Sequence, residues 1–164
     1  MNFHAGTNRF REGKLLRIDV SRSARDSLLI SIKTKFADKI LSGEKTIEVR
    51  KQFPPMNSFD GRMLVYSSGS AKSLVALVEV ESVTRLPVAS FWNAYGAQTA
   101  LSAQEIDLYF GSATEGCAVR IKSVLPLART VSYSELKDVW GIAPPQSYRY
   151  ISPTDLSSLV QVAS

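Results

Sequence analysis

The residues of this chain whose types and spacing could do chemistry lie in one short stretch, Gly43-Glu44-Lys45-Thr46-Ile47-Glu48-Val49-Arg50. Ile47 and Val49 alternate with Thr46, Glu48 and Arg50, the period-two pattern of a strand with one packed face. Glu48 and Arg50 share the other face, about 7 Å apart by strand rise, and Lys45 enters from the turn before them. A carboxylate between two cations offers two kinds of chemistry. The cations can meet a phosphate or a base edge. Alternatively, Glu48 can serve as general base toward a water while Lys45 or Arg50 steadies the developing oxyanion. The plain alternative is a solvated strand face carrying a weak Glu–Arg pair, worth about 0–1 kcal/mol.

Other residues could widen such a site. Tyr148-Arg149-Tyr150 sets two rings around a guanidinium, a combination that stacks bases and contacts phosphate, although both rings could equally pack a core. Tyr66, Ser67 and Ser68 end an apolar run at a turn, where their hydroxyls could reach a ligand or simply make the turn. Phe91, Trp92 and Tyr95 fall at helical spacing, which favours core packing over base stacking, and Trp140 reads as a core anchor. Glu79 and Glu81 share a strand face that is expected to be solvated. Cys117 alternates with Val119 and Ile121 and reads as a buried small hydrophobe.

The elements that must position these groups follow from periodicity. Leu28 to Ile32 (LLISI) is an apolar run of strand length. Phe36, Ala37, Ile40 and Leu41 then recur at helical spacing, with Lys33, Lys35, Asp38 and Lys39 on the other face. Gly43 stands where a left-handed C-cap is expected. A strand over Lys45 to Lys51 ends at Phe53-Pro54-Pro55. Arg62 to Ser67 and Ser73 to Val83 predict two more strands around Ser68-Gly69-Ser70. Val88 to Tyr95 and Ser102 to Phe110 predict helices, the second opened by a Ser102/Glu105 capping box. Gly116 to Leu125 returns to strand, Ser134 to Trp140 to helix, and the last twelve residues predict a turn or two of helix capped by Thr154 and Asp155. Strands adjacent in sequence disfavour a doubly wound parallel sheet.

The 164 residues suffice for one domain with a substantial core. One cysteine and one histidine exclude an internal disulfide and a His/Cys metal cluster, so neither a structural metal nor a cofactor is expected. No run approaches the about 20 apolar residues of a membrane helix, and no secretory leader opens the chain, so a cytoplasmic protein is expected. The net charge of +5 favours anionic partners. Much of it belongs to residues 1–27, where Arg9, Arg11, Lys14, Arg17, Arg22 and Arg25 outnumber Glu12, Asp19 and Asp26. That segment reads as a flexible basic arm able to add phosphate contacts.

The spacing G-x-K-x-x-E-x-R, filled by Gly43, Lys45, Glu48 and Arg50 directly after a short amphipathic helix, resembles the signature of the ASCH domain family. LLISIKTKFADKILSG and PPQSYRYI extend the likeness over residues 28–151, leaving the arm (1–27) and a tail or short helix (152–164) outside it. The resemblance implies an α+β, PUA-like fold: a small, mostly antiparallel β-barrel with flanking helices and a cleft lined by the motif. Members of the family are generally proposed to bind RNA or to act as co-regulators, and some are hydrolases that deacylate N4-acylated cytidine or cleave RNA. Lys45 matches the lysine of the amidohydrolase type. Glu48 replaces its threonine nucleophile, Thr46 lies two residues too early, and Ala94 to Ala103 supplies no acidic partner.

The expected function is therefore binding of RNA or a nucleotide-sized ligand by Lys45, Glu48 and Arg50, with Tyr66, Ser67, Ser68, Tyr148 and Arg149 as further ligand contacts. The alternatives are a hydrolase of a modified nucleoside or of RNA, with Lys45 and Glu48 catalytic, and a protein-interaction module.

Overall fold

A computed structural model provides the structure of the protein, and residues 25–164 are described. The basic arm lies, up to residue 24, outside the described residues. The elements run β1 (Ser27–Lys33), α1 (Thr34–Ser42), β2 (Ile47–Arg50), β3 (Arg62–Ser68), β4 (Ser73–Pro87), α2 (Val88–Tyr95), α3 (Ala103–Phe110), β5 (Glu115–Ser132), α4 (Tyr133–Trp140), β6 (Tyr148–Ile151) and α5 (Pro153–Val162). The strands form one six-stranded sheet in the order β2-β5-β4-β3-β1-β6, in which only β1 and β3 run parallel. This is the expected α+β architecture with flanking helices.

The apolar run LLISI is continuous because β1 is buried on both faces. Leu28, Ile30 and Ile32 enter a core with Met63, Val65, Val78 and Val119, covered by Ala37 and Ile40 of α1. Leu29 turns the other way, into a core shared with Leu64, Leu77 and Val131 and covered by Leu136, Leu156 and Leu159 of α4 and α5. A third core joins Ile47 and Val49 of β2 to Phe91 of α2 and to Ile106 and Phe110 of α3. Cys117 is buried in the first core, as its alternation predicts.

Three expectations are corrected. β4 and β5 extend well beyond Val83 and Leu125: β4 continues from Val83 to Pro87 in regular register with Val119 to Glu115, and β5 passes Pro126 because a register shift between Leu74 and Ala76 lies beside it. The C-terminal helix is capped by Ser152, whose hydroxyl accepts from the Asp155 N–H, with Pro153 at its first position; Thr154 and Asp155 lie inside the helix. Tyr148–Ile151, read from sequence as ligand contacts or core packing and not as a strand, forms an edge strand on β1.

Two glycines matter to the site. Gly43 closes α1 at φ +83° and donates its N–H to Ile40 O, a left-handed conformation that disfavours a side chain. Gly116 opens β5 directly beneath Phe110, where an added Cβ would come within 2.3 Å of the ring. Phe110 is fully buried, so the ring cannot swing away. Gly116→Ala is expected to destabilise the protein by about 1–3 kcal/mol through overpacking, read as a lowered urea midpoint at unchanged m-value.

Candidate functional site

The left-handed exit at Gly43 lets the Lys45 N–H donate to Lys39 O at 3.0 Å and turns the lysine side chain inward. There its Nζ donates to Thr99 O at 2.7 Å and lies 3.3 Å from Glu48 Oε2. Arg50 Nε donates to the other carboxylate oxygen, Oε1, at 3.0 Å. Its Nη2 donates to Ser31 O on β1 at 2.7 Å. Lys45, Glu48 and Arg50 are only 2, 6 and 9 % exposed. The solvated-face alternative is therefore wrong: all of β2 is buried, and the charged groups of its polar side are held by the linker between α2 and α3, through Thr99 O, and by β1, through Ser31 O.

That linker, which contributed no motif, holds the corner between α1 and β2 with three successive carbonyls. Gln98 O accepts from the Thr46 N–H, Thr99 O from Lys45 Nζ, and Ala100 O from Lys39 Nζ at 3.4 Å. Thr99 is fully buried. Its hydroxyl donates to Gly96 O and accepts from the Leu101 N–H, while Ala100 adopts φ +57°.

The triad floors a cleft made of two adjoining cavities, of about 390 and 290 Å³. Lys33, Phe36, Glu48, Val49 and Tyr109 line both. Lys45, Leu101, Glu105 and Leu108 complete the larger, and Ser31, Arg50, Ser68 and Gln146 contribute to the smaller. Burial holds the Lys45 ammonium below its ordinary pKa, and the Glu48 carboxylate only partly opposes this. Burial likewise raises the Tyr109 hydroxyl, against the pull of Arg50. Cations also flank the rings: Lys45 Nζ sits 5.6 Å from the Phe36 centroid and Lys51 Nζ 5.7 Å from that of Tyr109.

Of the residues singled out in the sequence, the fold brings Lys45, Glu48, Arg50 and Ser68 together in this cleft. Ser67 is buried behind it, donating to Thr34 Oγ1. Tyr66 lies in the second core, and burial raises its hydroxyl. Tyr148 packs against Phe53 and Tyr150, and Arg149 points an Nη1 at Ala143 O at 3.5 Å. None of these last three lines the cleft. From the PPQSYRYI segment it is Gln146 that does. Lys33, Phe36, Thr99, Tyr109 and Gln146 were not foreseen. Lys33 and Phe36 were legible only as the edges of the strand–helix segment, and Tyr109 carries no signal beyond its place next to a core phenylalanine. Glu79 and Glu81 pair with Lys122 and Arg120 on the surface. Among the described residues no group of three or more His, Cys, Asp or Glu gathers as a metal site, and no helix is long and apolar enough to cross a membrane.

The family model described as the ASCH domain matches residues 30–151. The chain is 28 % identical over 141 residues to an ASCH domain-containing ribonuclease of Zymomonas mobilis, covering 85 % of this chain and 94 % of that protein. The crystal structure of ASCH from Zymomonas mobilis superposes with a TM-score of 0.77 at 27 % identity, over 84 % of this chain and 96 % of that one. A serine-to-alanine variant from the same organism gives 0.78 at 26 %, over 86 and 99 %. The N-terminal domain of Staphylothermus marinus McrB, at 11 % identity and a TM-score of 0.51 over 84 % of this chain and 94 % of that one, shares the fold alone.

Two outcomes follow from the buried triad. Glu48→Gln strands two buried cations and is expected to cost about 3–5 kcal/mol in urea unfolding, more than Lys45→Met, which leaves Glu48 paired with Arg50. Because folding lowers the Lys45 pKa, the unfolded chain binds more protons between that lowered value and the ordinary 10.5. The Lys45 contribution to stability therefore rises with pH across that window. The raised tyrosines act in the opposite sense, so the effect is read as the difference between the wild-type and Lys45→Met pH profiles, which should grow in favour of the wild type toward pH 10.5.

Proposed function

Because the chain belongs to the ASCH domain family, we propose that it binds single-stranded RNA in the cleft over Lys45, Glu48 and Arg50 and cleaves the strand there. The observation that carries this reading is the cleft itself, where the aromatic Phe36 and Tyr109 stand beside Lys33, Lys45 and Arg50. Rings accept bases by stacking, and cations accept the phosphates between them. The relative named as a ribonuclease, which this chain matches over 94 % of its length, supports the step from binding to cleavage.

In this reading Lys33 draws the phosphate in. Cleavage proceeds by attack of the ribose 2′-hydroxyl on the adjacent phosphorus: its proton passes to solvent at the cleft mouth, the P–O5′ bond breaks as a 2′,3′-cyclic phosphate forms, and the leaving 5′-oxygen takes a proton from water. Lys45 and Arg50 oppose the negative charge that builds on the phosphoryl oxygens. Glu48 orients both cations: each of its carboxylate oxygens faces one of them, so it is a positioning group rather than the base. The N4-acylcytidine reading finds no support, since the position of its hydroxyl nucleophile holds this engaged carboxylate.

End-labelled single-stranded RNA tests both parts. Wild-type protein is expected to bind with an affinity that falls steeply with salt, and to shorten the label. Lys33→Glu, at an exposed position, should weaken binding about tenfold and flatten the salt dependence. Arg50→Lys, which keeps the charge but loses the forked contact to Glu48 and Ser31, should slow cleavage more than binding. RNA binding indifferent to salt and to Lys33→Glu would remove the cleft from the reading, and intact RNA after prolonged incubation would remove the cleavage.

A further inference from the structure

We infer that Trp92 is the platform of a second base-binding subsite, which takes a nucleobase of the same single strand that the main cleft is proposed to hold; the inference rests on that reading. In α2, Phe91 is fully buried while the next residue, Trp92, is 43 % exposed. Its indole is not loosely placed. Gly96, at the end of the helix, lies so close against the ring that an added Cβ would stand 2.4 Å from it. The absent side chain lets backbone back the ring, so a base stacking on it finds a surface already fixed, with little rotamer freedom left to lose.

The ring borders a cavity of about 320 Å³ beside Asn93, Tyr95 and Gln98, whose lining contains no charged residue. An uncharged pocket with one broad aromatic wall and two amides suits a flat, neutral group with hydrogen-bonding edges. A nucleobase has that chemistry, and Asn and Gln pair with base edges in two-point contacts. The Arg120 guanidinium lies 5.8 Å from the Tyr95 ring centroid and 3.6 Å from the Glu81 carboxylate, so the charge near this pocket is a paired one and the pocket itself selects a neutral group.

The spacing to the main cleft is set by the same linker that holds Lys45. Gln98 lines the Trp92 cavity and Leu101 lines the cleft. Three residues span at most about 11 Å, so a short oligonucleotide can occupy both. The linker between them is tied to β2 and α1 through Gln98, Thr99 and Ala100 carbonyls, so the two subsites keep a fixed separation.

The test uses the full chain carrying Trp140→Phe, which leaves Trp92 as the one tryptophan. On rapid mixing, a single-stranded RNA hexamer of adenosine is expected to quench its emission. In binding assays with the wild-type chain as reference, Trp92→Ala should weaken the hexamer about tenfold and leave an adenosine dinucleotide unaffected. Trp92→Phe should restore most of the loss. The tenfold ratio should persist at high salt, because stacking is not a counterion effect. If Lys33→Glu weakens the hexamer while Trp92→Ala does not and the emission is unmoved, the platform is overturned and the cleft reading stands. Quenching that survives Lys33→Glu at unchanged affinity removes the cleft, and with it the assignment of Trp92 as a second subsite on the strand the cleft holds. A hexamer that does not bind the wild type overturns both.

Discussion

A carboxylate taken out of water must be paired, and in this protein that requirement is met by Glu48 between Lys45 and Arg50. Burying each ion costs several kcal/mol, about what a close and fully hydrogen-bonded partner returns. The triad therefore adds less to net stability than to geometry. Lys45 can satisfy its ammonium only if the α2–α3 linker brings the Thr99 carbonyl to it. Arg50 can satisfy its guanidinium only if β2, at one end of the sheet order, stands near β1 close to the other. No backbone ladder joins those two strands. A side-chain contact to the Ser31 carbonyl spans the gap between them, and the cleft opens beside it.

Three cores share the work around this arrangement. The first fixes α1 against the sheet and so the position of Gly43, from which Lys45 turns inward. The third fixes α2 and α3 against β2, which sets Tyr109 over the cleft and presents Trp92 outward. The second, under α4 and α5, lies on the other side of β1 and takes Tyr66 away from the site. One continuous apolar strand thus separates a structural face from a functional one. The placement of tyrosines, which look equivalent in sequence, follows from which face of the sheet their register assigns them to.

Several features were legible residue by residue because their causes are local. The helix over residues 34–42, its glycine stop, the capping box of α3 and the alternation in β2 each depend on neighbours within a few positions. The motif was legible too, since G-x-K-x-x-E-x-R needs only a helix end followed by a strand. The burial of its polar face was not, because period two shows that two faces differ and says nothing of what covers the second. The length of β5 was also hidden, since a proline that ends most strands is tolerated beside a register shift.

By itself the sequence determined the family resemblance, the α+β class and the chemical identity of the charged triad, because these reside in residue types at short, fixed spacings. Only the tertiary structure decided which residues join that triad. Lys33, Phe36, Thr99, Tyr109 and Gln146 come from segments up to 113 positions apart and carry no shared local pattern. Their meeting is a consequence of three packed cores. The same packing decided that Arg149 and Tyr148 stand elsewhere, and that Trp92, whose helical spacing suggested core, faces solvent on a glycine backing. A side chain's chemistry is written in its type. Its address depends on contacts whose sequence separation no periodicity can report.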